Sequence, residues 1–187
     1  EPVAFLLQAN NLPWNTRERA IDPSFVVDGE WLHCFFVGSC EQPKKTQSDL
    51  QHANLVGHAI TRDPSLQDWE ILTKDEPMLG ITPEAPDGCE NVMVYRTGDF
   101  WTMVYSEGLA NQHLAITQSP DLIHWTRIGK ITFPLQNWMA SRHGAPFIWY
   151  ESDRWIMVLM GTDNQERTTF GLLTSTDGLH WDPLPQR

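Results

Sequence analysis

The sequence predicts an all-β fold made of repeated four-stranded units, and three observations carry this prediction. The spacing from Trp69 to Trp125 and from Trp125 to Trp181 is 56 residues each time. A similar strand–turn–strand segment surrounds each tryptophan, and a hairpin pattern precedes each segment. A fixed period of this size marks repeat architectures, and four short antiparallel strands per repeat are typical of β-propeller blades. We therefore predict a single β-propeller domain, residues 1–187, with three blades at roughly 20–72, 88–129 and 143–184.

The repeated segments occupy residues 59–69, 115–125 and 172–181. In each, Asp, Ser, Pro or Gly residues separate an apolar strand from the tryptophan, and these residue types set the backbone of turns. Because the three tryptophans occupy equivalent positions, we expect all three in the core.

The hairpins span 22–37, 90–105 and 145–160. The first contains Asp28-Gly29, which is a strong tight-turn signal, and the others turn through Gly98 and Ser152-Asp153. No window shows a sustained period of 3.6 residues, so we expect no helix longer than two turns. Residues 39–54 interrupt the first blade and are predicted to form a solvated loop, or alternatively a loop at the rim of a site.

Composition excludes several classes of partner. The net charge of −11 argues against nucleic acid and anionic membranes, because both need a clustered basic face. Neither a membrane span nor a signal peptide is visible, and localisation stays open, with the cytoplasm favoured.

Cys34, Cys40 and Cys89 have irregular spacing, which favours reduced thiols over disulfides or zinc. Neither a metal nor a cofactor is predicted.

Two motifs suggest a family. Asp22-Pro23 opens an inner strand, and the repeated phrase Ser/Thr-x-(Ser/Pro)-Asp-Leu-x-x-Trp follows in the blades. Together they resemble the five-bladed propeller glycosidases of glycoside hydrolase families 43, 32 and 68 and the related mannoside phosphorylases, over nearly the whole chain. The resemblance implies catalytic carboxylates at the starts of innermost strands: an Asp of the first blade as base or nucleophile, and a Glu of another blade as acid.

Three residues are the catalytic candidates. Glycoside cleavage needs one carboxylate that attacks or activates water and one acid that protonates the leaving oxygen. Aligning the hairpins places Asp22 and Glu90 at equivalent positions of adjacent blades, with Asp22 as base or nucleophile and Glu90 as acid or pKa modulator. The third blade has His143-Gly144 there, and His143 is a candidate proton donor. The alternatives are structural: a turn cap for Asp22, a backbone or arginine partner for Glu90, and a packed ring for His143.

Four residues are candidates for substrate binding. Arg19 and Arg142 precede inner strands and could hold the carboxylates or substrate hydroxyls, or form salt bridges only. Trp14 and Trp138 lie in loops that lead to inner strands. Their indoles either stack on a sugar ring or pack against the blade edge.

The sequence therefore predicts a protein that cleaves a glycosidic bond of an oligosaccharide, the alternative being a non-catalytic carbohydrate-binding or scaffold propeller. Propellers usually have 4 to 8 blades, and a three-blade array leaves two apolar faces to cover. We expect a symmetric homodimer to cover them; a fragment or an unusually tight closure of three blades are the alternatives.

Overall fold

Three four-stranded antiparallel sheets form the fold in the computed structural model, which describes residues 9–41 and 52–185. Each sheet follows chain order from one edge to the other, as a propeller blade does. The first sheet contains β1 (Ile21–Asp28), β2 (Trp31–Glu41), β3 (His52–Thr61) and β4 (Glu70–Ile71). The second contains β5 (Cys89–Thr97), β6 (Phe100–Glu107), β7 (His113–Ser119) and β8 (Thr126–Lys130). The third contains β9 (Arg142–Glu151), β10 (Arg154–Thr162), β11 (Thr168–Ser175) and β12 (Asp182–Pro183).

The predicted all-β fold with three four-stranded blades is confirmed. The helical structure in the described ranges is a single 3-10 turn, Asn137–Met139, as the missing 3.6-residue period predicted. Within the same ranges, no helix has the length and apolar character needed to cross a membrane.

The chain divides into two compact units, 1–90 and 91–187. The first unit holds the first sheet and a core that includes Trp14, Phe36 and Leu55. In the second unit, the second and third sheets share a core that includes Met157 and Trp181. Strands such as β2, β3 and β6 are buried along nearly their whole length and supply side chains to these cores.

The prediction of a loop over residues 39–54 is wrong at both ends, because β2 and β3 extend into this range. β2 continues to Glu41 and β3 begins at His52, and the ladder pairs Ser39 with Asn54 and Glu41 with His52. The backbone hydrogen bonds of the ladder therefore extend past the point where the sequence pattern weakens. Residues 42–51 lie outside the described residues.

The turn before each repeated tryptophan has the same backbone in all three blades. The residue three positions before the tryptophan is left-handed, with φ of 56° at Leu66, 65° at Leu122 and 75° at Gly178. In the first two blades, the indole Nε1 donates to the carbonyl of that residue at 3.0 Å. The tryptophan phrase thus encodes one recurring corner.

The prediction that all three tryptophans are core residues is wrong for two of them. Trp181 is 2% exposed, but Trp69 and Trp125 are only half-buried. In the second blade, Leu122 is fully buried whereas Trp125 is only half-buried. In the first blade, Trp69 packs against the edge of the core and beside the exposed ring of Phe25. Equivalent backbone positions therefore differ in burial because their neighbours differ.

Candidate functional site

The first strand of each blade begins with the same backbone irregularity. Asp22, Asn91 and Ala145 are all left-handed, with φ between 48° and 52°. Each lies six residues before the last residue of its strand, at Asp28, Thr97 and Glu151. The ladder register shifts at this point in the first and third sheets. A bulge of this kind re-aims a side chain at the end of a sheet.

This register corrects the alignment of the hairpins. The structural equivalent of Asp22 in the second blade is Asn91, and Glu90 corresponds to Ile21 and Gly144. The sequence alignment was wrong by one residue because the left-handed position is not visible in an apolar pattern. A side chain added at Gly144 would collide with Gln112 and Ser106, so the third blade has no room for a carboxylate there.

Asp22 lies in a partly desolvated environment. Its side chain is half-buried, and this burial raises the pKa of the carboxyl, while the nearby charge of Arg19 opposes the increase. A carboxylate with a raised pKa is a stronger base. Arg19 therefore lies close enough to stabilise the negative charge of Asp22, which the predicted role of holding a carboxylate requires.

Asn15 holds the loop that carries Arg19, and the sequence analysis missed it. The side chain is 1% exposed. Its Oδ1 accepts from the backbone N–H groups of Arg19 and Ser39, and its Nδ2 donates to the carbonyls of Ala9 and Arg19. Every polar group of this amide is therefore used to shape the loop before β1.

Glu90 is held by a second buried asparagine that sequence analysis also missed. Nδ2 of Asn54 donates to Oε2 of Glu90 at 2.6 Å, and Asn54 is 2% exposed. No residue pattern marked Asn54, because the interruption in the first blade placed it in a loop rather than in β3.

Asp22 and Asn54 lie at the same end of the first sheet. β1 begins there, with Ile21 opposite Val37 of β2, and β3 also begins there, with Asn54 opposite Ser39 of β2. Two strand spacings, about 10 Å, separate β1 from β3. Because Glu90 contacts Asn54, the first unit brings both predicted carboxylates to one end of one sheet.

His143 is neutral near pH 7. Its ring is half-buried and lies 5.0 Å from the ring of Phe133. Burial, followed by repulsion from His113, lowers the pKa of His143 to about 4. An imidazolium at this position is therefore scarce at neutral pH, which favours the structural alternative for His143.

Arg142 has partners in its own unit. Its Nη2 lies 3.3 Å from Oε2 of Glu166, and its Nε donates to Oγ1 of Thr162 at 3.4 Å. This pairing matches the salt-bridge alternative, since the guanidinium is already bound at the edge of the third sheet.

Trp14 and Trp138 are core residues. Each is 7% exposed. Trp14 Nε1 donates to the carbonyl of Thr73 and Trp138 Nε1 donates to Oε1 of Gln136, both at 2.7 Å. Gly161 packs directly on the ring of Trp138. Neither ring has a free face for a sugar, so the packing alternative accounts for both.

The described ranges contain no cluster of three or more His, Cys, Asp or Glu side chains that could hold a metal ion. A groove of about 570 Å³ is lined by residues such as Trp31, Arg62 and Trp69. Asp22 and Glu90 do not line it.

Comparison with known proteins shows the fold. Neither a protein-family model nor a curated protein matches the chain. A family 117 glycoside hydrolase of the marine bacterium Zobellia galactanivorans matches with a TM-score of 0.70 and 11% identity, over 90% of this chain and 56% of its own. The GH32 β-fructofuranosidase of Bombyx mori matches at 0.67 and 14%, over 88% and 36%. The β-1,2-mannobiose phosphorylase of Listeria innocua matches at 0.67 and 10%, over 87% and 57%.

These structures are propeller-type glycoside hydrolases and an oligosaccharide phosphorylase, and the chain shares their fold. It spans between 36% and 57% of their length.

Proposed function

We propose that the chain acts on a glycosidic bond of an oligosaccharide, with Asp22 as base or nucleophile and Glu90 as acid. The observation that supports this most directly is the placement of two half-buried carboxyl groups at one end of the first sheet. Glycoside cleavage needs two such groups on opposite sides of the sugar. The fold shared with glycoside hydrolases and a mannobiose phosphorylase points to the same chemistry.

The environments of the two carboxyls suit different roles. Asp22 is close to a cation, Arg19, which favours its charged form as a base or nucleophile while burial strengthens its basicity. Glu90 is hydrogen-bonded by a neutral amide. An amide can also accept a hydrogen bond through its oxygen, so the same side chain can pair with the protonated carboxyl that the acid role requires.

A hydrolysis and phosphorolysis screen tests this function. We expect the chain to release sugar from at least one aryl glycoside or β-linked disaccharide, with and without phosphate. Asp22→Asn is expected to lower kcat by a factor of about 10² to 10⁴, because it removes the base. Glu90→Gln is expected to slow natural glycosides strongly and activated aryl glycosides little, since a good leaving group needs no acid.

Glu84→Gln is the matched control, because Glu84 is an exposed carboxylate in the segment that leads to Glu90. Its turnover should equal that of the parent chain. Equal turnover in Asp22→Asn and the parent would contradict the proposal.

The alternative function is carbohydrate binding without cleavage. One observation favours it. At the position equivalent to Glu90, the third blade has Gly144, where an added side chain would collide with Gln112 and Ser106. The third blade therefore contributes no carboxylate at this position. Calorimetric binding of an oligosaccharide that stays intact after prolonged incubation would establish this alternative.

The proposed partners are an oligosaccharide and a second copy of the chain. The face of the third sheet exposes apolar side chains, and so does the face of the first. Exposed apolar patches of this kind mark interaction surfaces. The most exposed are Val27 in the first sheet and Phe147 and Phe170 in the third. Sedimentation equilibrium at micromolar concentration should give a mass above 21.5 kDa. A monomer at that concentration would contradict the homodimer.

A further inference from the structure

We propose that Asn54 is a positioning residue that hydrogen-bonds the Glu90 carboxyl in both its ionised and its protonated form. The inference rests on the proposed role of Glu90 as the acid. It assigns a function to a buried residue that the sequence pattern did not mark.

The backbone of Asn54 is fixed from two sides. In β3 it pairs with Ser39 of β2, and its N–H donates to the carbonyl of Asp87 at 3.1 Å. It also forms an isolated parallel bridge with Gly88. A Cβ at Gly88 would collide with the carbonyl oxygen of Asn54, and φ at Gly88 is 86°, so the close approach requires glycine.

This fixed backbone keeps Asn54 at a constant distance from the start of β5. Glu90 is the second residue of β5, two residues after Gly88. The amide of Asn54 therefore reaches the carboxyl without the freedom of a loop. A positioning role needs such a rigid support.

The hydrogen bond from Nδ2 of Asn54 to Oε2 of Glu90 is short, at 2.6 Å. Because Asn54 is 2% exposed, water screens this bond little. A bond from a neutral donor to a carboxylate is charge-assisted and stronger than one between two neutral groups. In this orientation, Asn54 holds the ionised carboxyl.

The other end of the amide gives the second orientation. Oδ1 of Asn54 is buried and has no hydrogen-bond partner among the described residues. A rotation of the amide by 180° therefore breaks no bond at Oδ1 and brings that oxygen to Glu90. There it accepts the O–H of the protonated carboxyl. One side chain can thus serve an acid that loses and regains its proton.

The test measures the titration of Glu90 directly. Uniformly labelled glutamate allows the side-chain carboxyl ¹³C signals to be followed against pH, and Glu90→Gln assigns the signal. In Asn54→Asp, a carboxylate replaces the amide at nearly the same volume. We expect the midpoint of Glu90 to rise by at least one pH unit, which is tenfold in proton affinity, because the donor is lost and a like charge is added.

Ser39→Ala is the matched control. Ser39 lies opposite Asn54 in the same ladder and is also buried, but its hydroxyl donates to the carbonyl of Ala53. We expect no shift of the Glu90 midpoint. If Asn54→Asp fails to fold, Asn54→Ala replaces it, with an upward shift expected from the lost donor. An unchanged midpoint in the folded variant would overturn the inference.

The kinetic readout separates this inference from the proposed function. In an active enzyme, the limb of the pH–kcat profile that reports the acid should move with the Glu90 midpoint in Asn54→Asp. A shifted midpoint without turnover of any substrate would support the positioning role and contradict the glycosidase proposal. If Asn54→Asp turns over substrate with the same pH–kcat profile and the same Glu90 midpoint as the parent, this result would support the glycosidase proposal and contradict the positioning role.

Discussion

The hydroxyl of Tyr95 donates a hydrogen bond of 2.7 Å to the carbonyl oxygen of Gly178. In the other two blades, the equivalent carbonyl accepts from the indole of the repeated tryptophan. Nε1 of Trp181 is buried and has no partner within the described part of the chain. In the third blade, the hydroxyl of Tyr95 therefore replaces the indole as the donor to this carbonyl. Tyr95 belongs to β5 of the second sheet.

Tyr95→Phe tests this exchange. We expect the free energy of unfolding to fall by about 1 kcal/mol, the typical net value of one hydrogen bond. We expect the loss to stay small because the unpartnered Nε1 of Trp181 should then donate to the freed carbonyl, as the indoles of the other two blades do. Urea denaturation provides the measurement, with Tyr150→Phe as an exposed control. A loss above about 3 kcal/mol would show that the indole does not replace the hydroxyl.

Replacement of the repeated tryptophans should have unequal effects. Trp181→Ala is expected to cost about 3 to 5 kcal/mol, as buried aromatic truncations do. Trp69→Ala should cost less than half as much, because Trp69 is only half-buried. Chemical denaturation of the two variants in parallel measures the difference. Equal losses would mean that the equivalence of sequence positions decides stability rather than burial.

Ala145 occupies a backbone conformation that favours glycine. Its φ is 48°, which costs an alanine about 1 to 2 kcal/mol. Ala145→Gly removes this strain but increases the entropy of the unfolded chain, so we expect a net gain of about 0.5 to 1 kcal/mol. Asn91→Gly is the matched control, because asparagine tolerates the same conformation better and should gain less. Destabilisation of Ala145→Gly in thermal unfolding would contradict the assigned strain.

Sequence periodicity predicted the blades because it records what repeats. The tryptophan phrase and the hairpin turns recur along the chain, and each of them forms the predicted corner or tight turn. Burial of Trp69 and Trp125 was not predictable in this way. It depends on which side chains cover each corner, and these differ between blades.

The candidate site was predictable only in part. Asp22 and Glu90 became candidates because the family that the sequence resembles carries its catalytic carboxylates near strand starts, and their catalytic roles stay predictions. The one-residue error in their alignment came from a left-handed residue, which no apolar pattern reveals. Asn15 and Asn54 were missed because a buried amide acts through contacts with distant backbone and side-chain groups. Such contacts leave no spacing in the sequence.

A histidine pair inside the first sheet makes stability depend on pH. Nδ1 of His33 and Nε2 of His58 are 2.9 Å apart, and the ring of Phe35 stacks on His58. Both histidines are buried. Burial, followed by repulsion from His33, lowers the pKa of His58 to about 3. Burial also lowers the pKa of His33, against the attraction of Asp28. The folded chain therefore keeps at least His58 neutral where the unfolded chain is protonated.

The expected result is a loss of stability as the pH falls from about 6.5 towards 3. The ordinary pKa of histidine, 6.5, describes the unfolded chain, and the value of about 3 describes folded His58. Between them, unfolding takes up a proton, so the free energy of unfolding falls with falling pH. Each pH unit corresponds to about 1.4 kcal/mol, which gives about 2 kcal/mol lost between pH 7 and pH 5. Urea denaturation at half-unit intervals measures this slope. His58→Gln, which keeps a polar group but does not titrate, should flatten it, and an unchanged slope in that variant would exclude His58 as its source.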